Sequence, residues 1–493
     1  MENKEKTFLG QPRGLNTLFY TEMWERFSYY GMRAILMFYM YYSLTNGGLG
    51  FPKTTAMAIM SIYGSMTMLT GIIGGFVSDR LTGPRKAVMW GGILIMFGHI
   101  SLALPIREAG LYAAIVLITL GTGLLKPNVA TMVGNLYSAD DTRRDAGFSI
   151  YIFSVNLGAF VAPLLVGWTQ GVAGFHVAFS LAAIGMFFGL IQFYIGGKHL
   201  KVKANDVAPD PISKAEILPL VYKTVAVLLG VAAVFVVMAF SKVLTVDNGI
   251  LVLTIIAIAV PVIYFVMMLT SPKTNKEERK QVRAFIPLFI AAMIFWSIEE
   301  QGSVVLASFA NDQTNLNVLS GIFDGFKIPA SWFQSLNPLF IMLFTPIFVW
   351  MWSGGLKKQP NTGSKFALGL VFSGLSFVWM ALPTSLFGMD VKFNPLWLVF
   401  SWVLVEIGEM LISPVGVSVS SKLAPVAFQA QMITVWNLSN GAAQALNSQI
   451  VQFYREGTEI AYFIIIGGLA ILAGLVLWFM VKKSAMLKDV LAN

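Results

Sequence analysis

Fourteen apolar runs, each long enough to cross a bilayer, follow one another along these 493 residues. A run of about 20 apolar residues spans hydrocarbon as a helix, because only a helix satisfies its own backbone groups there. The runs lie near 14–44, 54–79, 85–105, 111–137, 146–169 and 175–197, then 217–240 and 248–270, then 282–311, 329–353, 364–385, 395–420, 427–454 and 459–481. The order is six, two, six. It predicts an all-α polytopic membrane protein with a six-helix bundle at 1–197, a cytoplasmic linker with two inserted helices at 198–276, and a second six-helix bundle at 277–493. The segments GGFVSDRLTGPRK and GGLKKQPNTGSKF occupy matching places in the two sixes, a faint internal echo. Halves related by a parallel repeat build a carrier whose site lies between them near the midplane.

Charge placement supports the count. Of 34 Lys and Arg residues, only Lys53, Arg107, Lys242, Lys327, Lys392 and Arg455 fall on loops opposite the side that holds both termini. The positive-inside rule then puts both termini in the cytoplasm. The polar start, MENKEKTFLGQPRG, has no separate signal-peptide core, so an uncleaved N-terminus is expected. The net charge of +9 reflects these loops and implies no nucleic-acid partner. There is no cysteine, which excludes disulfides, thiolate metal sites and cysteine nucleophiles.

Ionisable residues inside the runs carry the functional signal. The first run contains TEMWERFSYYGMR, which sets Glu22, Glu25, Arg26 and Arg33 at membrane depth. Each would cost roughly 2.5–3.5 kcal/mol by insertion scales if it faced lipid. At 100° per residue, Glu22, Arg26, Tyr29 and Arg33 share one stripe, with Glu25 and Tyr30 at its edges. Such a stripe must line a protected cavity. Lys126 adds a third cation in the fourth run, beside the helix-distorting Pro127. The second six holds Glu299, Glu300, Glu406 and Glu409 and no interior cation. A basic wall facing an acidic wall suits a zwitterion, its carboxylate toward the arginines or Lys126 and its amine toward the glutamates. The surplus of carboxylates requires protonation or pairing for part of a cycle, which is how a carrier would couple to protons. Ion-pair glue between helices is the alternative reading. Aromatic and amide residues share these helices: Trp296, Trp436, Asn156 and Asn337, of which the buried amides need partners most. His99 reads as a satisfied structural histidine. No nucleophile motif or metal-ligand cluster accompanies Glu25, Arg26 and Tyr29, so no catalytic residue, no metal and no enzyme activity is expected.

These residues resemble a known family. GGFVSDRLTGPRK is similar to the loop of the major facilitator superfamily, with Asp79, Arg80, Gly83, Arg85 and Lys86 in place. EMWERFSYYG resembles the ExxERF-x-YYG signature of the proton-dependent oligopeptide transporters (POT/PTR), and FSIYIFSVNLGAF resembles their second signature, with Asn156 as its asparagine. FWSIEEQGS, FQSLNPLF and GEMLISPVG read like the bacterial di- and tripeptide carriers, inserted helix pair included. The resemblance covers essentially the whole chain. It implies the major facilitator superfamily fold with 14 transmembrane helices and a place in the bacterial cell membrane. It also implies proton coupling through Glu22, Glu25, Arg26, Lys126 and Glu300. Arg26, Arg33 and Lys126 would hold a peptide carboxylate, and Asn156, Asn337 and Glu409 would meet its backbone and amino terminus. Glu300 would pair with Arg33 or Lys126 in the absence of peptide, and Tyr29, Tyr30, Trp296 and Trp436 would line side-chain pockets. Two positions depart from the pattern. Met68 stands where relatives often have tyrosine, and Glu406 is an extra acid that either tunes Glu409 or faces a neighbouring helix. The expected function is proton-coupled import of di- and tripeptides by alternating access, by a monomer needing no cofactor beyond the proton gradient. Carriage of another small zwitterion or anion, such as an amino acid or nitrate, is the alternative.

Overall fold

Helices occupy all fourteen expected places in the computed structural model, which describes residues 7–138, 140–200, 203–355, 359–388 and 390–484. The basic residues Lys4, Lys6, Lys201, Lys357, Lys358 and Lys488, expected on termini-side loops, lie outside the described residues. The first six helices are α1 (Arg13–Tyr41), α2 (Lys53–Val77), α3 (Pro84–Ala103), α4 (Arg107–Gly134), α5 (Arg144–Ala173) and α6 (Phe175–Gly196). The inserted pair is α7 (Lys214–Phe240) and α8 (Val246–Thr270). The next span is broken: α9 (Lys276–Glu299) passes through a 3₁₀ turn, Glu300–Ser303, into the short α10 (Val305–Gln313). Then come α11 (Leu336–Trp350), α12 (Thr362–Phe387), α13 (Leu396–Lys422), α14 (Gln429–Ile450) and α15 (Glu459–Lys483).

Local chemistry sets several of these ends. Pro84 opens α3 directly after Gly83, whose φ of 78° favours glycine. Capping boxes start α7 (Ser213 with Glu216) and α9 (Asn275 with Glu278), each satisfying otherwise orphaned backbone donors. Twelve stretches are apolar and long enough to cross a membrane. The two spans outside that set are α1, with four charges at membrane depth, and α14, rich in amide and serine side chains. Many of their polar residues are buried in protein, among them Glu22, Glu25, Arg26 and Arg33 on α1 and Gln444, Asn447 and Ser448 on α14. The large exposed side chains elsewhere, such as Phe97, Val116, Ile465 and Leu472, are apolar, as lipid contact requires.

The chain forms two compact units that cut across individual helices. One comprises the residues up to Tyr29, Leu69–Gly158 and Phe179–Ile255; the other comprises Tyr30–Met68, Ala159–Ala178 and everything from Ile256. In the first unit, Leu15, Val88, Leu125, Met132, Tyr151 and Phe193 belong to one buried apolar cluster. The linker after α6 is fastened here. Asp210 and Ile212 donate backbone N–H bonds to the carbonyls of Asp79 and Arg80, at 3.0 and 3.1 Å. Arg80 pairs with Asp210 and Glu216, and Arg85 with Asp206. Two arginines of the GGFVSDRLTGPRK loop thus bind the linker.

In the second unit α12 packs on α13 and α15. The α12–α15 crossing is very close. A Cβ on Gly374 would stand 2.5 Å from the Gly467 carbonyl oxygen, and one on Gly467 equally close to the Gly374 oxygen. Small residues at such crossings let backbones approach where no hydrophobic force drives helices together. Gly467→Val should therefore lower the thermal melting point of the detergent-purified protein markedly, in line with overpacking costs of about 1–3 kcal/mol or more. Gly468→Val, where a Cβ meets nothing within 4 Å, should leave it nearly unchanged.

Candidate functional site

The helical period of α1 places its charges as the sequence predicts. In the first unit, Arg26 lies between two carboxylates, its Nε 3.1 Å from Glu22 Oε1 and 2.5 Å from Glu25 Oε2. All three side chains are at most 3% exposed, so each charge depends on the others for compensation. The guanidinium lies 5.6 Å from the centre of the Tyr29 ring, within cation–π range. Lys126 on α4 is an electrostatic neighbour of Glu25, and the buried Tyr151 on α5 interacts with Glu22. Tyr151 was not singled out from the sequence, although it stands within the FSIYIFSVNLGAF signature. Asn156, one turn further on, turns its amide onto the Ile152 carbonyl of its own helix at 3.0 Å.

The second unit holds Arg33, further along α1. Arg33 pairs with Glu300 and donates to Ser303 Oγ at 3.0 Å. The other oxygen of Glu300 accepts from Asn440 Nδ2 at 2.9 Å, and Asn440 Oδ1 accepts from Gln444 at 2.6 Å. The Glu300–Ser303 turn after α9 supplies these two partners of Arg33. Asn440 and Gln444 enter this network unforeseen. Their signal was available in LSNGAAQALNSQ, where 440, 444 and 447 recur at i, i+4 and i+7 and so share one helix face.

Beside this pair, Asn337 on α11 donates from Nδ2 to Glu299 Oε1 at 3.0 Å and to Glu406 Oε1 at 2.7 Å. Oxygens of Glu299, Glu406 and Glu409 all lie within 4.8 Å of one another. Glu406 is fully buried, lies in the carboxylate cluster with Glu409 and accepts from Asn337 of the neighbouring α11. Tyr30, Arg33, Glu299, Glu300, Asn337 and Trp402 help to line a cavity of about 40 Å³, space for little more than water. The remaining expected residues sit apart from these bonds. Trp436 is buried against Phe366, over Gly416, where a Cβ would meet its ring at 1.9 Å. Trp296 is half-buried, edge-on to Phe295. Met68 faces Gly441 of α14. His99 is fully buried, but neither ring nitrogen has a hydrogen-bond partner among the described residues, so it is not the satisfied histidine expected.

At the far end of α1 from the termini, further bonds join helices of the first six to those of the second. Lys53 pairs with Asp312, and Tyr42 donates to Asn311 Oδ1 at 2.7 Å. Trp332 donates to the Leu164 carbonyl at 2.9 Å, and Ser335 to that of Phe160 at 2.8 Å. Arg26 and Arg33 on α1 are thus held by carboxylates, and polar bonds cluster at one end of that helix.

Comparison with known proteins places the chain in a family. The sequence pattern of the POT family matches residues 85–467. The chain is 46% identical over 484 residues to the uncharacterized transporter YclF of Bacillus subtilis (strain 168), covering 98% of this chain and 96% of that protein. It is 46% identical over 486 residues to the di-/tripeptide transporter of Lactococcus lactis subsp. cremoris, covering 98% and 97%. Its structure superposes on the crystal structure of a peptide transporter POT in complex with sulfate with a TM-score of 0.94 at 47% identity, over 99% of this chain and 98% of that one. The helix count, the charged first span and these likenesses converge: this multi-pass membrane protein has the major facilitator superfamily fold and belongs to the POT family.

Proposed function

We propose that the protein is a proton-coupled symporter that brings di- and tripeptides into the bacterial cell. The observation that carries this reading is the pairing of the two membrane-depth arginines of α1 with glutamates, Arg26 with Glu22 and Glu25 and Arg33 with Glu300. A buried ion pair is costly to break unless a new partner arrives. A proton can replace Arg26 as the partner of Glu22 or Glu25, and a peptide carboxylate can replace Glu300 as the partner of Arg33. Charge compensation then links the two ligands: each cation freed by protonation of a glutamate needs an anion, and the peptide carboxylate is that anion.

Arg26, Arg33 and Lys126 are assigned to the peptide carboxylate, and Asn156, Asn337 and Glu409 to its backbone and amine. Tyr29, Tyr30, Trp296 and Trp436 offer apolar area with a polar edge, suited to varied side chains. Bundles 1–197 and 277–493 would rock about the substrate, with both termini in the cytoplasm, and one chain suffices. The clasp of Lys53 with Asp312 and of Arg33 with Glu300 would then close the external side. The acidic residues of the second six disfavour a simple anion as cargo.

In liposomes, an inward proton gradient should concentrate labelled dialanine. Glu22→Gln or Glu25→Gln should abolish gradient-driven uptake while counterflow exchange persists, because exchange needs no net proton movement; uptake indifferent to the gradient would refute the coupling. Arg33→Ala should impair free dipeptides far more than dipeptide amides, which lack the carboxylate, and equal impairment would remove its assigned role. Lys53 and Asp312 are each 36% exposed, so their pairing should contribute only about 0.2–1 kcal/mol to stability. Lys53→Asp and Asp312→Lys should each slow uptake, and the double exchange should restore it; a double variant no better than either single would dissociate the pair from gating.

A further inference from the structure

Helix α7 stands apart from the packed interior. None of its described side chains is buried, although the span is strongly apolar. In a bilayer such a helix is solvated by lipid on nearly every face. Where it approaches the end of α2, within the first unit, a cavity of about 490 Å³ lies between them. Phe76 and Arg80 line it from the α2 side. On α7 the lining is a single stripe, Glu216, Pro219, Leu220 and Lys223, which recur at i, i+3, i+4 and i+7. The cavity is therefore apolar along its length, with two cations on its wall.

Those two cations differ in what they meet. Arg80, in the π-helical turn Ser78–Thr82 after α2, pairs with Asp210 and Glu216. Glu216 in turn has no oxygen to spare. Its Oε1 accepts from Arg80 at 2.9 Å, and its Oε2 accepts from the Ser213 backbone N–H at 2.9 Å and hydroxyl at 2.7 Å. Lys223 is exposed and forms no ion pair among the described residues. It also lies inside the apolar run that begins near residue 217, roughly 9 Å along the helix axis. A lipid-facing lysine at that depth turns its ammonium toward the interface and needs an anion there.

We propose that the cavity between α2 and α7 binds one anionic phospholipid, its phosphate on Lys223 and its acyl chains along Phe76, Pro219 and Leu220. Basic pockets between membrane helices suit phosphate headgroups, because the phosphate stays at the interface while the chains remain in hydrocarbon. A phosphodiester of single negative charge matches the one cation that no carboxylate answers. An ethanolamine headgroup fits less well, since it adds an ammonium beside Arg80 and Lys223 where Glu216 is already engaged. The bound lipid fills the space between α7 and α2, beside the place where Arg80 fastens the linker. The site is independent of what the chain carries.

Native mass spectrometry of the full purified chain in detergent, titrated with phosphatidylglycerol, tests this. The chain should retain one such lipid, and Lys223→Gln should weaken its binding about fivefold, whereas Lys223→Arg should keep it. Lys214→Gln removes the same charge from the same helix on the opposite face, and it should leave binding unchanged. Equal weakening by the two glutamine variants would mean attraction of lipid to basic surface in general, and would overturn the site. Displacement of the lipid by millimolar inorganic phosphate would make the cavity a site for free phosphate and overturn the lipid assignment. Phosphatidylethanolamine binding as tightly as phosphatidylglycerol would overturn the requirement for a net negative headgroup.

Discussion

A charge inside a bilayer has to be answered by another charge, and the interior of this protein is arranged around that requirement. Helix α1 brings two arginines and two glutamates to membrane depth, and none of them faces lipid. Arg26 is compensated within its own helix, by Glu22 four residues before it and by its neighbour Glu25. Arg33, two turns further on, is compensated by Glu300, far away in sequence. The two pairings thus differ in kind: one is local to α1, the other ties a helix of the first six to one of the second.

That difference gives mechanical meaning to chemical exchange. A proton arriving at Glu22 or Glu25 changes the balance within one helix. Under the proposed function, an anion arriving at Arg33 would release Glu300, and with it a link that runs on through Asn440 and Gln444. The break in α9 is essential here, because the Glu300–Ser303 turn offers a carboxylate and a hydroxyl to the same guanidinium. Glu299, Glu406 and Glu409 instead gather around the Asn337 amide.

Much of this was legible in the chain. Hydropathy located every membrane helix, because the penalty for exposed backbone in lipid leaves few alternatives. The 3.6-residue period placed Glu22, Arg26, Tyr29 and Arg33 on one stripe. Helix α14 was less transparent, since Asn440, Gln444 and Asn447 dilute its apolar signal. The same dilution marks it as an interior helix, which is why its amides deserved equal weight with the charges. Tyr151 was missed for another reason: a tyrosine in an apolar run is common, and only packing brings its hydroxyl to Glu22. His99 reversed expectation because burial without a partner leaves no trace in the sequence.

The sequence by itself determined the class of molecule, the order of six, two and six helices, the inventory of buried charges and the family signatures. Those follow from local rules: length, periodicity and the cost of charge in hydrocarbon. Only the tertiary structure decided which charge answers which. Arg33 could have met Lys126's partners or Glu300, and Glu406 could have faced a neighbouring helix. The choice depends on where α9 breaks and on where α11 sets Asn337 against α13. Pairing between residues hundreds of positions apart is a property of packing, and no single helix encodes it.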